Sequence, residues 1–199
     1  FTLPTLPRDE YPPLPTLPEP VGTVDAASFP AAVAQDAVAA ASPDDRNHAY
    51  AGIRMEIEPS GHLTLAATDR YRLAVKELPW RPAGTDQAIA VTIPGRELVE
   101  AAKAFAGAGD VIIHLGDSDT SLALTSSARQ TGLRLMDAAN FPKFRSLLPT
   151  AFVSQPEIDV APLKEALKRV SLVLHQDSAV RMVFAADEVV LRAGTGDEA

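Results

Sequence analysis

The sequence predicts an α+β fold made of duplicated units, each a helix followed by antiparallel strands. Short stretches alternate apolar and polar residues, as Ile53, Met55 and Ile57 do with Arg54, Glu56 and Glu58. Period two marks a strand with one buried and one wet face. Between these stretches, apolar residues recur at helical spacing. The apolar helix faces that begin at Phe29, Leu98 and Leu163 lie 69 and 65 residues apart. One helix on three or four strands buries little alone, so neighbouring units are expected to share a sheet and a helical layer.

The elements follow in order. Seven of the 17 prolines fall in the first 20 residues, where missing N–H groups favour a stiff, extended chain. A Pro-rich tail or an SH3-type ligand has this composition. Phe1-Thr2-Leu3 and Tyr11 are apolar enough to finish a strand and pack, which favours the end of one element and a linker over 1–22. Residues 25–42 read as a helix, with Asp25 at its N-cap or first turn and Pro30 in the first turn. Ser42-Pro43-Asp44-Asp45 should stop it. Strands are expected at Ile53–Ile57, at Leu63 and Leu65 after the turn Pro59-Ser60-Gly61, and at Tyr71, Leu73 and Val75.

A second round repeats the pattern. Ile89, Val91 and Ile93 form a strand, and Pro94-Gly95 opens a helix with Leu98, Ala101, Ala102 and Phe105 on one face. Gly107 ends that helix. Strands follow at Val111, Ile113 and Leu115, at Leu122 and Leu124, and at Leu133 and Leu135. A third round begins with Phe152-Val153, continues in a helix carrying Leu163, Leu167, Val170 and Leu174, and reaches strands at Met182, Phe184, Val189 and Leu191. It stops after two strands, so a further C-terminal portion is expected.

Composition excludes several classes. The chain has 199 residues, 46% hydrophobic and 22% charged, which argues against wholesale disorder. It has no cysteine, which removes disulfide scaffolds, zinc ribbons and thiol nucleophiles and leans toward the cytosol. No apolar run approaches the roughly 18 residues a membrane helix needs. The net charge of -8 speaks against a protein that coats nucleic acid with a basic surface. His48, His62, His114 and His175 are far apart, and no phosphate-loop, dinucleotide-binding or nucleophile-elbow motif is present. Asp117 and Asp119 sit in a hairpin turn, where aspartate is favoured for backbone reasons, and Gly194-Thr195-Gly196 reads as a turn. No catalytic residue, metal site or cofactor is expected.

Two segments stand out. In Ala66-Ala67-Thr68-Asp69-Arg70-Tyr71-Arg72-Leu73-Ala74-Val75, two arginines flank a tyrosine where one strand hands over to the next. Thr68 and Asp69 can bind local backbone and tighten the connection. In an extended chain Arg70 and Arg72 would share one face, with Tyr71 and Leu73 on the other. The segment is either a hairpin with a solvated charged edge or a recognition ledge, since arginine and tyrosine are common binding anchors. The second segment, Asn140-Phe141-Pro142-Lys143-Phe144-Arg145-Ser146-Leu147-Leu148-Pro149, is too apolar for a free loop. It should pack across a sheet edge or link two units, and beside the ledge it could form a small peptide-binding groove.

These two segments resemble the β subunit of bacterial DNA polymerase III, the sliding clamp. The opening F-T-L-P-T-L-P-x-x-x-Y-P is similar to the strand that closes the clamp's first domain, and the resemblance runs the whole chain in order. It implies clamp-type domains, each a pair of helix-plus-strands units, with helices on the inner face of a ring and sheets outside. On that template 1–22 is the end of domain one and the linker, 23–149 is the central domain, and 150–199 is the first part of domain three.

The resemblance implies function and sites as well. It implies a non-catalytic processivity factor, cytoplasmic and nucleoid-associated, without cofactor. Two subunits would close head to tail around duplex DNA and tether replicative polymerase, clamp loader and other proteins carrying a clamp-binding motif. That motif would dock in a groove between domains two and three, on Thr68, Arg70, Tyr71, Arg72 and Leu73, with Pro142, Ser146 and Leu147 from the second segment. Tyr50 corresponds to another wall residue, where the family more often has leucine, and Ser146 stands where some members have a longer residue. DNA-facing candidates are Arg46, His48, Arg96, Lys103, Lys164 and Lys168; Leu172 and Val173 match part of the subunit contact. Phosphate contacts of this kind are non-specific and salt-sensitive. The competing reading is a duplicated α+β protein-interaction module that never encircles DNA.

Overall fold

Alternating residues become strands largely where the pattern places them. The computed structural model describes residues 5, 7–11, 16–45, 48–84, 86–116, 120–137, 141–174 and 178–194. The chain divides into two units, Phe1–Leu147 and Leu148–Ala199. In the first, strand β1 (Pro20–Asp25) leads into helix α1 (Phe29–Asp36), then strands β2 (Gly52–Glu58), β3 (His62–Thr68) and β4 (Leu73–Pro82). The order then repeats as β5 (Ile89–Pro94), helix α2 (Gly95–Ala104), β6 (Asp110–Leu115), β7 (Ser121–Thr125) and β8 (Gln130–Arg134).

All eight strands form one sheet in the order β5-β2-β3-β4-β1-β6-β7-β8, and every pairing along it is antiparallel. The two rounds exchange their first strands. β1 pairs with β4 of its own round and with β6 of the next. β5 pairs with β2 of the preceding round, and Thr92 of β5 also bridges to Met136, just past β8. The recurrence in sequence is thus a structural duplication sealed by exchanged strands.

Helices α1 and α2 pack on each other and against the sheet. Phe29, Val33, Leu98, Ala102 and Phe105 meet Ile53, Met55, Ile57, Leu63, Leu65, Ile93, Ile113, Leu122 and Leu124 in one core. Each fully buried large side chain contributes about 1.5–3 kcal/mol. Trp80 of β4 lies across β1, and its indole N–H donates to the Glu58 carbonyl at 2.9 Å. A Cβ on Gly22 would collide with that indole, so the crossing requires glycine there.

Several local expectations are refined. The first helix is shorter than 25–42 and is followed by a 3-10 turn at Ala37–Ala39. Asp25 acts one turn earlier than a helix cap. Its carboxylate accepts the Ser28 N–H at 3.0 Å, and backbone hydrogen bonds from Ala27 and Ser28 hold it below the ordinary carboxylate range. Strand β1 begins at Pro20, inside the stretch read as linker. The preceding segment is docked to the sheet, because buried His114 hydrogen-bonds the Pro18 carbonyl and Thr125 Oγ1, each at 2.9 Å. That is a packing role for this histidine. His175, Asp117, Asp119, Asn140, Thr195 and Gly196 lie outside the described residues.

The second unit contains helix α3 (Val160–Ser171) and a hairpin of β9 (Val180–Phe184) and β10 (Val189–Ala193). Residues 151–159 adopt neither helix nor strand, and Phe152 and Val153 are exposed, so no strand opens this round. Leu163, Leu167 and Val170 share the half-buried side of α3; Leu174 falls beyond the helix end.

One fully buried position among the described residues is an acid. Asp36, in the last turn of α1, is buried with neither carboxylate oxygen hydrogen-bonded. Burial pushes its carboxyl up to about 7. Between the ordinary carboxylate range and that value, the unfolded chain releases a proton that the folded chain keeps. Stability therefore falls as pH rises through this window and levels off above it. We expect Asp36→Asn to gain stability on the parent between pH 5 and pH 8 by on the order of 2–3 kcal/mol, read by urea unfolding. A parent-to-variant difference that does not change with pH would contradict a buried, protonated Asp36.

Candidate recognition ledge

The ledge is the connection from β3 to β4. Thr68, the last residue of β3, accepts the Arg70 N–H on its hydroxyl at 3.1 Å and donates to the Arg72 carbonyl at 2.6 Å. Asp69 Oδ1 accepts the N–H groups of Tyr71 at 3.0 Å and Arg72 at 2.8 Å. Its Oδ2 takes the Arg72 guanidinium, with Nε at 2.9 Å and Nη2 at 2.8 Å. The Arg72 backbone N–H and then its guanidinium hold the Asp69 carboxyl down at about 2. These are the local backbone bonds that threonine and aspartate favour.

The turn overrides the extended-chain expectation for the two arginines. Arg70 has φ 82°, which breaks strand alternation, and β4 begins only at Leu73. The Arg70 guanidinium stacks 5.5 Å from the Tyr50 ring centroid and bonds Asp45 Oδ2 at 2.9 Å. Arg72 instead folds back on Asp69. Tyr71 is 91% exposed, and Tyr50, in the 3-10 turn His48–Ala51, is half-buried.

The second segment forms a strap over the sheet face turned away from α1 and α2, its outer face. Phe141 and Phe144 meet edge to face with centroids 6.4 Å apart. They form a small cluster with Ala66, against which Leu73 and Val75 pack. Leu73 thus ties ledge to strap. Arg145, in the 3-10 turn Phe144–Leu147, pairs with Glu56 and, at 3.5 Å, with Glu58; its guanidinium also lies over the Phe144 ring. Arg54 stacks on Phe141. A cavity of about 330 Å3 opens between strap and β2. Pro142 is half-buried, Ser146 donates its hydroxyl to the Lys143 carbonyl at 2.7 Å, and Leu147 is 63% exposed.

The structure therefore links Tyr50, Thr68, Arg70, Arg72 and Leu73 through shared contacts, and brings Pro142, Ser146 and Leu147 in on the strap. Sequence reading passed over Asp45, Glu56 and Arg145. The Ser42–Asp45 cluster signalled a turn but not a partner for Arg70, and no local pattern connects Arg145 to Glu56.

His48, Arg96, Lys103, Lys164 and Lys168 are exposed, while Arg46 lies outside the described residues. Lys103 pairs with Glu100 at 3.0 Å and Lys168 with Glu165 at 2.8 Å. Such exposed pairs contribute about 0–1 kcal/mol and yield readily to a stronger anion. α1 carries neither lysine nor arginine. Leu172 and Val173 are exposed just past α3. Among the described residues no cluster of His, Asp or Glu could hold a metal, and no helix is long and apolar enough to cross a membrane.

Comparison with known proteins gives consistent matches. Residues 23–143 match the family described as DNA polymerase III beta subunit, central domain. The chain is similar to a beta sliding clamp of Micrococcus luteus, 45% identical over 199 residues, covering 100% of this chain and 63% of that protein. It is 41% identical over 202 residues to a beta sliding clamp of Streptomyces coelicolor, covering 100% of this chain and 53% of that one. It thus spans between half and two thirds of these relatives. The crystal structure of the DNA polymerase III subunit beta from Pseudomonas aeruginosa superposes with a TM-score of 0.81 at 22% identity, covering 97% of this chain and 52% of that chain.

The Asp69 carboxylate organises the turn, and its contribution is present above the ordinary carboxylate range and lost as pH falls through about 2. Carbon-detected NMR titration should place the Asp69 midpoint near that value, and Asp69→Ala should speed hydrogen exchange at the Tyr71 and Arg72 amides. A midpoint near 4, the unperturbed value, would contradict this geometry.

Proposed function

We propose that this chain, which belongs to the DNA polymerase III beta subunit family, is the central part of a sliding clamp. The ring would encircle duplex DNA as a head-to-tail dimer. It would hold replicative polymerase, clamp loader and other partners through a short peptide docked on the ledge. In this reading 23–149 is the central clamp domain, 1–22 closes the first domain and links to it, and 150–199 opens the third. The protein is non-catalytic, takes no cofactor, and works in the cytoplasm at the nucleoid.

The duplicated sheet carries this reading. Two rounds of strand, helix and three strands, joined through exchanged strands with both helices in one core layer, make a repeated unit suited to tiling a ring. Arg96 and Lys103 lie seven positions apart on α2 and share an exposed face, as do Lys164 and Lys168 on α3. Only a ring's inner surface has to be positive, so a net charge of -8 is compatible with DNA inside and limits sticking outside. Contacts of this kind would be to phosphate and independent of sequence.

Loading on nicked circular plasmid tests the proposal. The full-length protein that contains this chain, loaded by its clamp loader, should stay with the circle through gel filtration in high salt and run off when the plasmid is linearised. An interaction module that does not encircle DNA would elute identically with circle and line, and that result would sink the clamp reading.

A further inference from the structure

The β3–β4 turn keeps one residue in a conformation that its side chain disfavours. Arg70, at φ 82°, is the only non-glycine residue with positive φ among the described residues. That placement is disfavoured for an L residue with a side chain. Its side chain is then fixed from two sides. The ring of Tyr50 supports the guanidinium 5.5 Å away, and Asp45 holds Nη2 at 2.9 Å. Nε makes only a 3.4 Å contact with the Asp69 carbonyl.

A guanidinium carries five N–H donors in a rigid fork that suits a carboxylate. The Arg70 side chain is 51% exposed, so donors are left over on a group that is already oriented. Arg72, 58% exposed, also uses one edge on its own acid, Asp69, which leaves Nη1. Tyr71 stands exposed between the two. A cation fixed before its ligand arrives loses little entropy on binding. A flexible, solvated arginine would need neither the stack nor the strained backbone.

Resting on the groove reading above, we infer that Arg70 is a specificity-determining residue that selects partner peptides carrying a carboxylate beside their apolar anchor. Tyr50 and Asp45 hold the guanidinium at the rim. The peptide's aspartate or glutamate takes the donors that Asp45 leaves open, while Leu73, Pro142 and Leu147 receive the apolar side chains. A neutral peptide with the same anchors gains only the apolar part.

Fluorescence polarisation with two labelled peptides tests this. One contains Asp-Gly-Leu-Phe-Gly-Asp and the other Asn-Gly-Leu-Phe-Gly-Asn, and each is titrated with the full chain. The acidic peptide should bind about fivefold tighter, as one partly exposed ion pair supports, and less so as salt rises. Arg70→Gly, in which glycine accepts the backbone conformation freely, should bring the ratio close to one while circular dichroism confirms folding. Leu147→Ala should weaken both peptides and preserve the ratio. Equal binding of the two peptides by the parent, or a ratio that survives in Arg70→Gly, overturns the role of Arg70. If neither peptide binds, or Leu147→Ala changes neither affinity, the groove reading itself falls and the inference with it.

Discussion

Strand β1 hydrogen-bonds along both edges, and the first unit depends on that double pairing. On one side it joins β4, on the other β6, and so two short rounds of helix and strands become one eight-stranded sheet. Neither round could bury its helix well alone. Gly22 and Trp80 show how tight the seam is, since the indole occupies the space a side chain on residue 22 would need. β5 also crosses to the other round, pairing with β2 along one edge and touching Met136 by a single bridge on the other.

The candidate site inherits its rigidity from this sheet. β3 and β4 are central strands, so the turn between them is anchored at both ends. Thr68 and Asp69 fix the turn from within, and Asp45 and Tyr50 fix Arg70 from outside. The strap is held on the outer face by buried Phe144 and by the reach of Arg145 to β2. Apolar burial supplies most of that hold, because half-exposed ion pairs add little. Apolar sockets, oriented guanidiniums and an exposed tyrosine are the usual components of a peptide-anchoring surface. Asp45, Asp69 and Glu56 each pair with an arginine of this region, which orients the guanidiniums.

Much of the fold was legible in the sequence because its signals are local. Alternation at Ile53–Glu58 and helical spacing at Leu98–Phe105 each report one buried face. The repeat between Phe29 and Leu98 reported the duplication. The exchange of β1 and β5 was not legible, since strand partners are chosen by tertiary packing. Asp36 reads as an ordinary polar position on a helix until burial is known. At the ledge, Thr68 and Asp69 announced a tight turn, but the positive φ of Arg70 follows from the turn's closed hydrogen bonds rather than from its residue type. Arg145 and Glu56 are far apart in sequence, and only folding makes them a pair.

These features converge on one claim, that the ledge is pre-formed on the sheet and receives a partner there. Hydrogen–deuterium exchange on this chain, with and without the acidic Leu-Phe peptide, tests it most directly. The account predicts that the amides of Arg70, Tyr71 and Arg72, bonded to Thr68 and Asp69, are already slowed in the free protein. Added protection on binding within the first unit should be confined to residues 68–73 and 141–147. Free-protein exchange at the unstructured rate in this turn, or new protection on other elements of the unit with none here, would contradict it.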